Sequence, residues 1–170
     1  MKKFIILLTL VAAFPLVASA YTSASNAEKG NIYSLNVYGH FGSHEGLGAD
    51  LGGTFHLMPD YDISPIVFFG VGCGGLDHEN FYIDMKLLGG VAWHATDFFY
   101  MDIAAGAQGF FQLGTESQLG GAFVADANIL LHLAEIIGIR AGCMVSIGTN
   151  GAMISPHVGL ASMFDFSWLF

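Results

Sequence analysis

Aspartate and histidine are the side chains of this sequence with the greatest capacity for chemistry, and they recur with a spacing of two. Several stretches of the sequence alternate between apolar and more polar residues, and we call each set of every-second positions a parity. The more polar parity contains five aspartates, five of the seven histidines, one lysine and one arginine: Asp50, Asp84, Asp102, Asp126, Asp165, His40, His56, His94, His132, His157, Lys86 and Arg140. Such groups could hold a metal ion or pass protons. A metal site needs three or four converging ligands, and no two of these histidines form a local ligand motif. We therefore predict no metal site and no cofactor.

A structural polar network is the interpretation that the shared parity favours, because buried charges must be paired or hydrogen-bonded. The predicted network consists of Asp84, Lys86, Asp102, Asp126, Arg140, Asp165, His56, His94 and His132. We expect each of the two cations to bridge two or more of three aspartates, Asp84, Asp102 and Asp126. The remaining carboxylates would bond to histidine or to the hydroxyls of Tyr38, Tyr82 or Tyr100.

The elements that position these side chains are predicted to be strands, because the chain alternates between apolar and more polar residues. Successive side chains of a strand point to opposite faces. Eight runs of this kind occupy residues 33–41, 47–57, 66–73, 81–94, 99–113, 119–132, 137–147 and 157–170. Turn residues separate the runs, among them Thr149, Asn150 and Gly151. Residues 128–139 also fit a helical stripe, but the unbroken parity on both sides favours two strands and a tight turn.

The composition points to a membrane. Of the 170 residues 54% are hydrophobic and only 11% are charged, and the mean hydropathy is +0.58. A soluble domain carries about a quarter of its residues as charges. So many apolar residues exclude disorder, and a net charge of -9 with only five lysines and arginines argues against nucleic-acid binding. After the first twenty residues there is no apolar run of about 18 residues, which leaves a closed β-barrel as the spanning structure.

The first twenty residues have the features of a signal peptide. Lys2 and Lys3 precede an apolar run that closes on Ala18, Ser19 and Ala20, which is the pattern of a basic region, a hydrophobic core and a cleavage site. We predict a cleavable signal peptide at residues 1–20, a periplasmic leader at 21–30 and a transmembrane barrel at 31–170. Export would follow the Sec pathway. The alternative is a retained N-terminal anchor helix.

The end of the chain carries a family resemblance. The last seven residues alternate aromatic with other side chains and place Phe164, Phe166, Trp168 and Phe170 on one parity. This resembles the terminal strand of Gram-negative outer-membrane β-barrels, whose aromatic C-terminus is read by the barrel-assembly machinery. With its eight runs the chain is similar to the small outer-membrane proteins of the OmpA-barrel and OmpX type.

That resemblance implies an all-β fold, an eight-stranded antiparallel up-and-down transmembrane barrel in the Gram-negative outer membrane. The apolar parity would face lipid, and outer-membrane lipid, lipopolysaccharide and the barrel-assembly machinery would be its partners. The alternative is a soluble secreted barrel of the lipocalin type, in which the apolar parity would face inwards.

Catalysis needs separate consideration, because small outer-membrane barrels include enzymes that modify lipid A. Lipid A deacylase barrels carry a His-x-Ser pair on the lipid-facing side. The nearest candidates here, His157 and Ser162, lie on opposite parities, and a base must lie within hydrogen-bond reach of its nucleophile. We therefore predict that the protein is not an enzyme. The alternative is an interior site near one rim, where His40, Asp50 and Ser155 could gather.

The predicted function follows from the size of the barrel. Eight strands enclose a space just wide enough for side chains to fill, so we expect a plugged polar interior and a structural or partner-binding role in the envelope. A small channel or ligand carrier is the first alternative, and a lipid A-modifying enzyme is the second. Another membrane protein is a candidate partner, because small outward residues such as Gly89, Ala105 and Ala125 would permit close packing.

The two cysteines are predicted to be free thiols. Cys73 falls on the third run and Cys143 on the seventh, on nearly opposite sides of a barrel. A disulfide needs the two Cα atoms within about 7 Å. A bond between them would contradict the predicted strand order.

Overall fold

The computed structural model describes residues 31–58, 61–77, 80–96, 99–114, 117–134 and 137–164. The predicted signal peptide (residues 1–20) and leader (21–30) lie outside these ranges, and so do Asp165, Phe166, Trp168 and Phe170. Predictions about those residues therefore stay predictions. In the described ranges, no helix is long and apolar enough to cross a membrane.

Eight strands form a closed barrel in which every strand pairs antiparallel with its neighbours in sequence. The strands are β1 (Asn31–Gly42), β2 (Gly46–His56), β3 (Ile63–Leu76), β4 (Asn80–Thr96), β5 (Phe99–Leu113), β6 (Gln118–Ala134), β7 (Ile137–Gly148) and β8 (Gly151–Phe164). The barrel closes where β1 pairs with β8, from Asn31 opposite Phe164 onwards. The predicted eight-stranded up-and-down topology is confirmed. We call the end where β1 begins and β8 ends the termini end, and the other the opposite end.

A tight turn joins β7 to β8, where the sequence predicted a hairpin. Gly148 of β7 pairs with Gly151 of β8, so Thr149 and Asn150 alone form the connection. Gly151 has a φ of 81°, a conformation that a residue without a Cβ adopts at little cost. In the segment that also fitted a helical stripe, β6 runs to Ala134 and β7 starts at Ile137. The helical alternative for residues 128–139 is therefore wrong.

The two parities of each strand face opposite environments. Apolar side chains point away from the enclosed volume, and Phe123 and Ile103 are 62% and 64% exposed. Charged side chains point inwards, and Asp84 and Arg140 are 1% and 2% exposed. This is the reverse of a soluble barrel, in which the apolar face forms the core. The alternative of a lipocalin-type protein is therefore wrong.

The inside of the barrel is less polar than the sequence suggested. Eleven buried residues form an apolar core cluster, consisting of Ile32, Ile66, Phe68, Leu88, Ala92, Tyr100, Ala104, Val124, Leu130, Met144 and Ala161. In the third run of the sequence, residues 66–73, Ile66 and Phe68 place apolar residues on both parities. Because both side chains point inwards, that irregularity marks an apolar layer inside the barrel rather than a break in the strand.

The closing seam between β1 and β8 has an interruption in its pairing. Tyr38 pairs with His157 and Phe41 pairs with Ile154, while Gly39 and His40 in between have no partner in the register. Opposite them stands Pro156, which has no backbone N–H to donate to a neighbouring strand. At this level the seam has fewer backbone hydrogen bonds than the strand pairs around it.

Both cysteines are free, as predicted. Cys73 lies on β3 and Cys143 on β7, so half of the barrel separates them.

Candidate functional site

The polar interior is the candidate functional site, because it gathers the predicted charged residues. Seven of the eight described members of the predicted network divide among three groups of contacts, centred on Lys86, on Arg140 and on two histidines. His132 belongs to none of them, being half-buried on β6 without a hydrogen bond or ion pair in the described part of the chain. Asp165 lies outside the described residues.

The first group is the Lys86 cluster, which we define as Asn36, Tyr38, Asp50, Asp84 and Lys86. The ammonium of Lys86 donates to Asp50 Oδ2 at 2.6 Å and lies 3.6 Å from Asp84 Oδ1. Asn36 donates to Asp50 Oδ1 at 2.8 Å. The Lys86 nitrogen also sits 4.8 Å from the centre of the Tyr38 ring, within range of a cation–π contact. One buried cation thus contacts two carboxylates from different strands.

Glycines on β3 make this cluster possible. In the register Asp50 of β2 is level with Gly72 of β3, and Gly72 is level with Asp84 of β4. A Cβ at Gly72 would come within 2.8 Å of both Asp84 Oδ2 and the Tyr38 hydroxyl. Because β3 presents no side chain there, groups from β2 and β4 can meet across it.

A chain of hydrogen bonds links the Lys86 cluster to the seam. Tyr38 donates to Asp84 Oδ2 at 3.3 Å, and Tyr82 donates to the Tyr38 hydroxyl at 3.0 Å. The Tyr82 oxygen is therefore the acceptor for His40 Nε2, at 2.6 Å. With its proton on Nε2, the neutral His40 ring accepts from Ser155 Oγ through Nδ1, at 2.7 Å. All the donors point towards Asp84, which ends the chain.

The second group is the Arg140 cluster, which we define as Thr54, Asp102, Asp126, Asn128, Arg140 and His157. Arg140 Nη2 donates to both oxygens of Asp102, at 3.2 and 3.0 Å, and Nη1 donates to Thr54 Oγ1 at 3.1 Å. Thr54 is on β2 and Arg140 on β7, so this side chain crosses the lumen.

Asn128 extends the Arg140 cluster to a second carboxylate. Its amide nitrogen donates to Asp102 Oδ1 at 2.9 Å and to Asp126 Oδ2 at 3.0 Å. The amide oxygen is then left as an acceptor for His157 Nε2, at 2.6 Å. His157 Nε2 is also 3.9 Å from Asp126 Oδ1.

The ion pairs of Lys86 and Arg140 involve partly different aspartates from those expected. Lys86 contacts Asp50 and Asp84, and Arg140 contacts Asp102 alone among the expected three aspartates. Asp126 is bound by Asn128 and lies beside His157 instead. The reason is the register: the glycine at position 72 brings Asp50 next to Lys86, and the Asn128 amide lies between Asp102 and Asp126. Asn36, Thr54 and Asn128 were not singled out in sequence, although their inward parity was visible.

The third group lies at the termini end and consists of His56, His94 and Tyr100. The centres of the two histidine rings are 5.1 Å apart, and the Tyr100 ring lies 5.6 Å from His56 and 4.9 Å from His94. Tyr100 is buried and belongs to the apolar core cluster. The three rings therefore pack against one another inside the barrel at the termini end.

Comparison with known proteins rests on structure, since the sequence matches no family model and no curated protein. Ail, the attachment invasion locus protein of Yersinia pestis, is similar with a TM-score of 0.61 and 12% identity, over 80% of this chain and 99% of Ail. The N-terminal β-barrel domain of Pseudomonas aeruginosa OprF matches with a TM-score of 0.51 and 11% identity, over 80% of this chain and 98% of that domain. The outer membrane enzyme PagL matches with a TM-score of 0.50 and 12% identity, over 78% of this chain and 98% of PagL.

These matches agree with the apolar outer surface and the charged, enclosed inner one. The chain is a transmembrane β-barrel. The resemblance to small Gram-negative outer-membrane barrels is confirmed at the level of the fold. Because an invasion protein and an enzyme share that fold, the fold itself does not assign an activity.

All three residues named for a rim site lie in the interior of this transmembrane β-barrel, but only two of them meet. His40 and Ser155 are hydrogen-bonded near the opposite end, whereas Asp50 pairs with Lys86. In the Ser-His-Asp triad the serine bonds to Nε2 of the histidine and a carboxylate to Nδ1. Here Ser155 lies at Nδ1 of His40, and the tyrosine hydroxyl of Tyr82, not a carboxylate, lies at Nε2. Ser155 is 0% exposed, so its hydroxyl lies within the packed wall.

Proposed function

We propose that this transmembrane β-barrel is a structural or partner-binding component of the Gram-negative outer membrane, closed to solutes and without catalysis. The observation that carries the proposal is the pair of ion clusters inside the barrel. Lys86 joins β4 to β2, and Arg140 joins β7 to β5 and β2. The Lys86 cluster gathers inward side chains of β1, β2 and β4, and Arg140 reaches across the lumen from β7 to β2. These buried side chains occupy the lumen and leave no continuous path for a solute.

The small size of two internal cavities supports an interior that is closed to solutes. A cavity of about 20 Å³ lies near the opposite end beside His40, Tyr82 and Met153, and one of about 10 Å³ lies between the two ion clusters. Each has room for about one water molecule. A channel for hydrated ions needs a connected volume many times larger.

Conductance in planar bilayers tests closure directly. The folded full chain is expected to give no stable ion conductance at neutral pH, because the side chains of both ion clusters occupy the lumen. A porin reconstituted in the same way serves as the positive control. Steady, stepwise currents from the unmodified protein would contradict the proposal and support the alternative of a small channel.

Absence of catalysis is proposed because the candidate nucleophile is enclosed. Ser155 is held by His40 within the wall, and its side chain is fully buried. Mass spectra of lipid A from cells with and without the protein are expected to be identical. A change in acyl content that disappears in Ser155→Ala but persists in Ser146→Ala, another buried inward serine, would support the lipid-modifying alternative instead.

A partner-binding role is proposed for the outer wall formed by β4, β5 and β6. Gly89, Ala105 and Ala125 stand side by side in the register of these three strands and point outwards. Small residues allow another membrane-spanning backbone to approach closely, since packing rather than the hydrophobic effect drives association in lipid. The partner that fits this wall is another membrane protein.

A further inference from the structure

The cavity between the two ion clusters is bordered by side chains with unpaired polar atoms. Asn36, Asp126 and Arg140 line it, and each of them is at least nine-tenths buried. The atoms are Asn36 Oδ1, Asp126 Oδ1 and Arg140 Nε, and none has a hydrogen-bond partner in the described part of the chain. A buried polar group without a partner is costly, so most such groups in folded proteins bind other protein groups or ordered water.

The other polar atoms of these three side chains are already engaged. The amide nitrogen of Asn36 donates to Asp50 Oδ1. Asp126 accepts from Asn128 at Oδ2, and both terminal nitrogens of Arg140 donate to protein oxygens. What is left is two acceptors, Asn36 Oδ1 and Asp126 Oδ1, and one donor, Arg140 Nε.

The strand register brings these atoms to one place. Asn36 of β1 and Arg140 of β7 are both level with Gly159, which lies between them on β8. A Cβ at position 159 would come within 2.4 Å of Asn36 Oδ1, so this oxygen lies over the glycine. Because β8 presents no side chain there, the space between Asn36 and Arg140 stays open, and Asp126 of β6 borders the same cavity.

One water molecule matches these atoms in both size and hydrogen bonding. The cavity has a volume of about 10 Å³, which is about the room that a single water needs. A water has two hydrogens to donate and lone pairs with which to accept. It can therefore donate to Asn36 Oδ1 and Asp126 Oδ1 while it accepts from Arg140 Nε, and three hydrogen bonds are typical of a buried water.

The charges around the cavity argue against a metal cation in the same place. Lys86 and Arg140 both line the cavity, and two positive side chains would repel a cation. A cation also has no lone pair with which to accept from Arg140 Nε. The occupant must both donate and accept, which a neutral water does.

We propose that this cavity is a binding site for one ordered water molecule, which bridges Arg140 Nε to Asn36 Oδ1 and Asp126 Oδ1. Asn36 binds Asp50 and so belongs to the Lys86 cluster, whereas Asp126 and Arg140 belong to the Arg140 cluster. The water therefore joins the two ion clusters into one network. It connects β1 to β6 and β7 on the inner side of β8, next to the strand pair that closes the barrel.

Nuclear magnetic resonance of the folded full chain in lipid nanodiscs tests the site through the proton on Arg140 Nε. This proton is expected to show a rotating-frame Overhauser cross-peak to a long-lived water, with the sign that distinguishes it from chemical exchange. Asn36→Leu has a similar size but no acceptor, so the cross-peak should be lost. Thr54→Val is the matched control: Thr54 binds Arg140 at Nη1 but does not line the cavity, and the cross-peak should persist.

Two results would overturn the site. One is a resolved Arg140 Nε proton without a cross-peak to water, and the other is a cross-peak that is as strong in Asn36→Leu as in the unmodified protein. Folding is checked by gel mobility before and after heating, and Asp126→Leu replaces Asn36→Leu if that variant does not fold. If the proton is not resolved, a high-resolution crystal structure decides: a water must lie within hydrogen-bond distance of Arg140 Nε and Asn36 Oδ1, and its absence refutes the site.

Discussion

Replacing Arg140 by methionine is expected to lower the free energy of unfolding by about 3–5 kcal/mol, which is the usual cost of removing one partner of a buried ion pair. The guanidinium is 2% exposed and makes three hydrogen bonds, two to Asp102 and one to Thr54. Without it, the Asp102 carboxylate would be buried with only neutral donors. Methionine fills a similar volume, so the effect measures loss of charge rather than loss of packing.

The double variant Arg140→Met with Asp102→Asn is the matched control. It removes the unpaired charge while keeping an acceptor for the Asn128 amide, so most of the lost stability should return. Denaturant unfolding of the barrel in lipid vesicles, extrapolated linearly to zero denaturant, measures each variant. If the double variant is no more stable than Arg140→Met alone, the pair does not contribute through its charge.

Placing arginine on the outer face at mid-height is expected to cost about 2–4 kcal/mol, as for a charge at the midplane of a bilayer. Ala125 is the position of choice because it lies near the middle of β6 and points outwards. In a soluble barrel an outward arginine would be nearly neutral, so Ala125→Arg tests directly whether this surface faces lipid.

Leu133→Arg is the control for the effect of depth. Leu133 also points outwards from β6, at 65% exposure, but lies next to the end of the strand. A charge there reaches the interface and should cost at most about 1 kcal/mol. Equal losses of unfolding free energy at the two positions would contradict the transmembrane placement.

The strands could be predicted from sequence because their two faces meet different environments. From Phe81 to His94 the parity is maintained through two glycines, since every second residue contacts lipid and the others contact the interior. Lipid imposes one requirement along the whole strand, so the pattern is local and visible in a single sequence.

The contacts inside the barrel could not be predicted in the same way. Asp50 and Lys86 are 36 positions apart and meet only because the register places Gly72 between their strands. The link from Ser155 to Asp84 joins three strands, β8, β1 and β4, through His40, Tyr82 and Tyr38. Parity tells which side chains are enclosed, whereas the relative shift of neighbouring strands determines which enclosed side chains touch.

The pairing between β1 and β8 is interrupted at the level of Pro156. β1 and β8 are the strands farthest apart in sequence, and the barrel is closed only when these two strands pair. At the level of Gly39 their union depends on the imidazole and hydroxyl of His40 and Ser155, which meet on the inner side. Parting the wall at this height therefore requires breaking the 2.7 Å hydrogen bond between these two side chains.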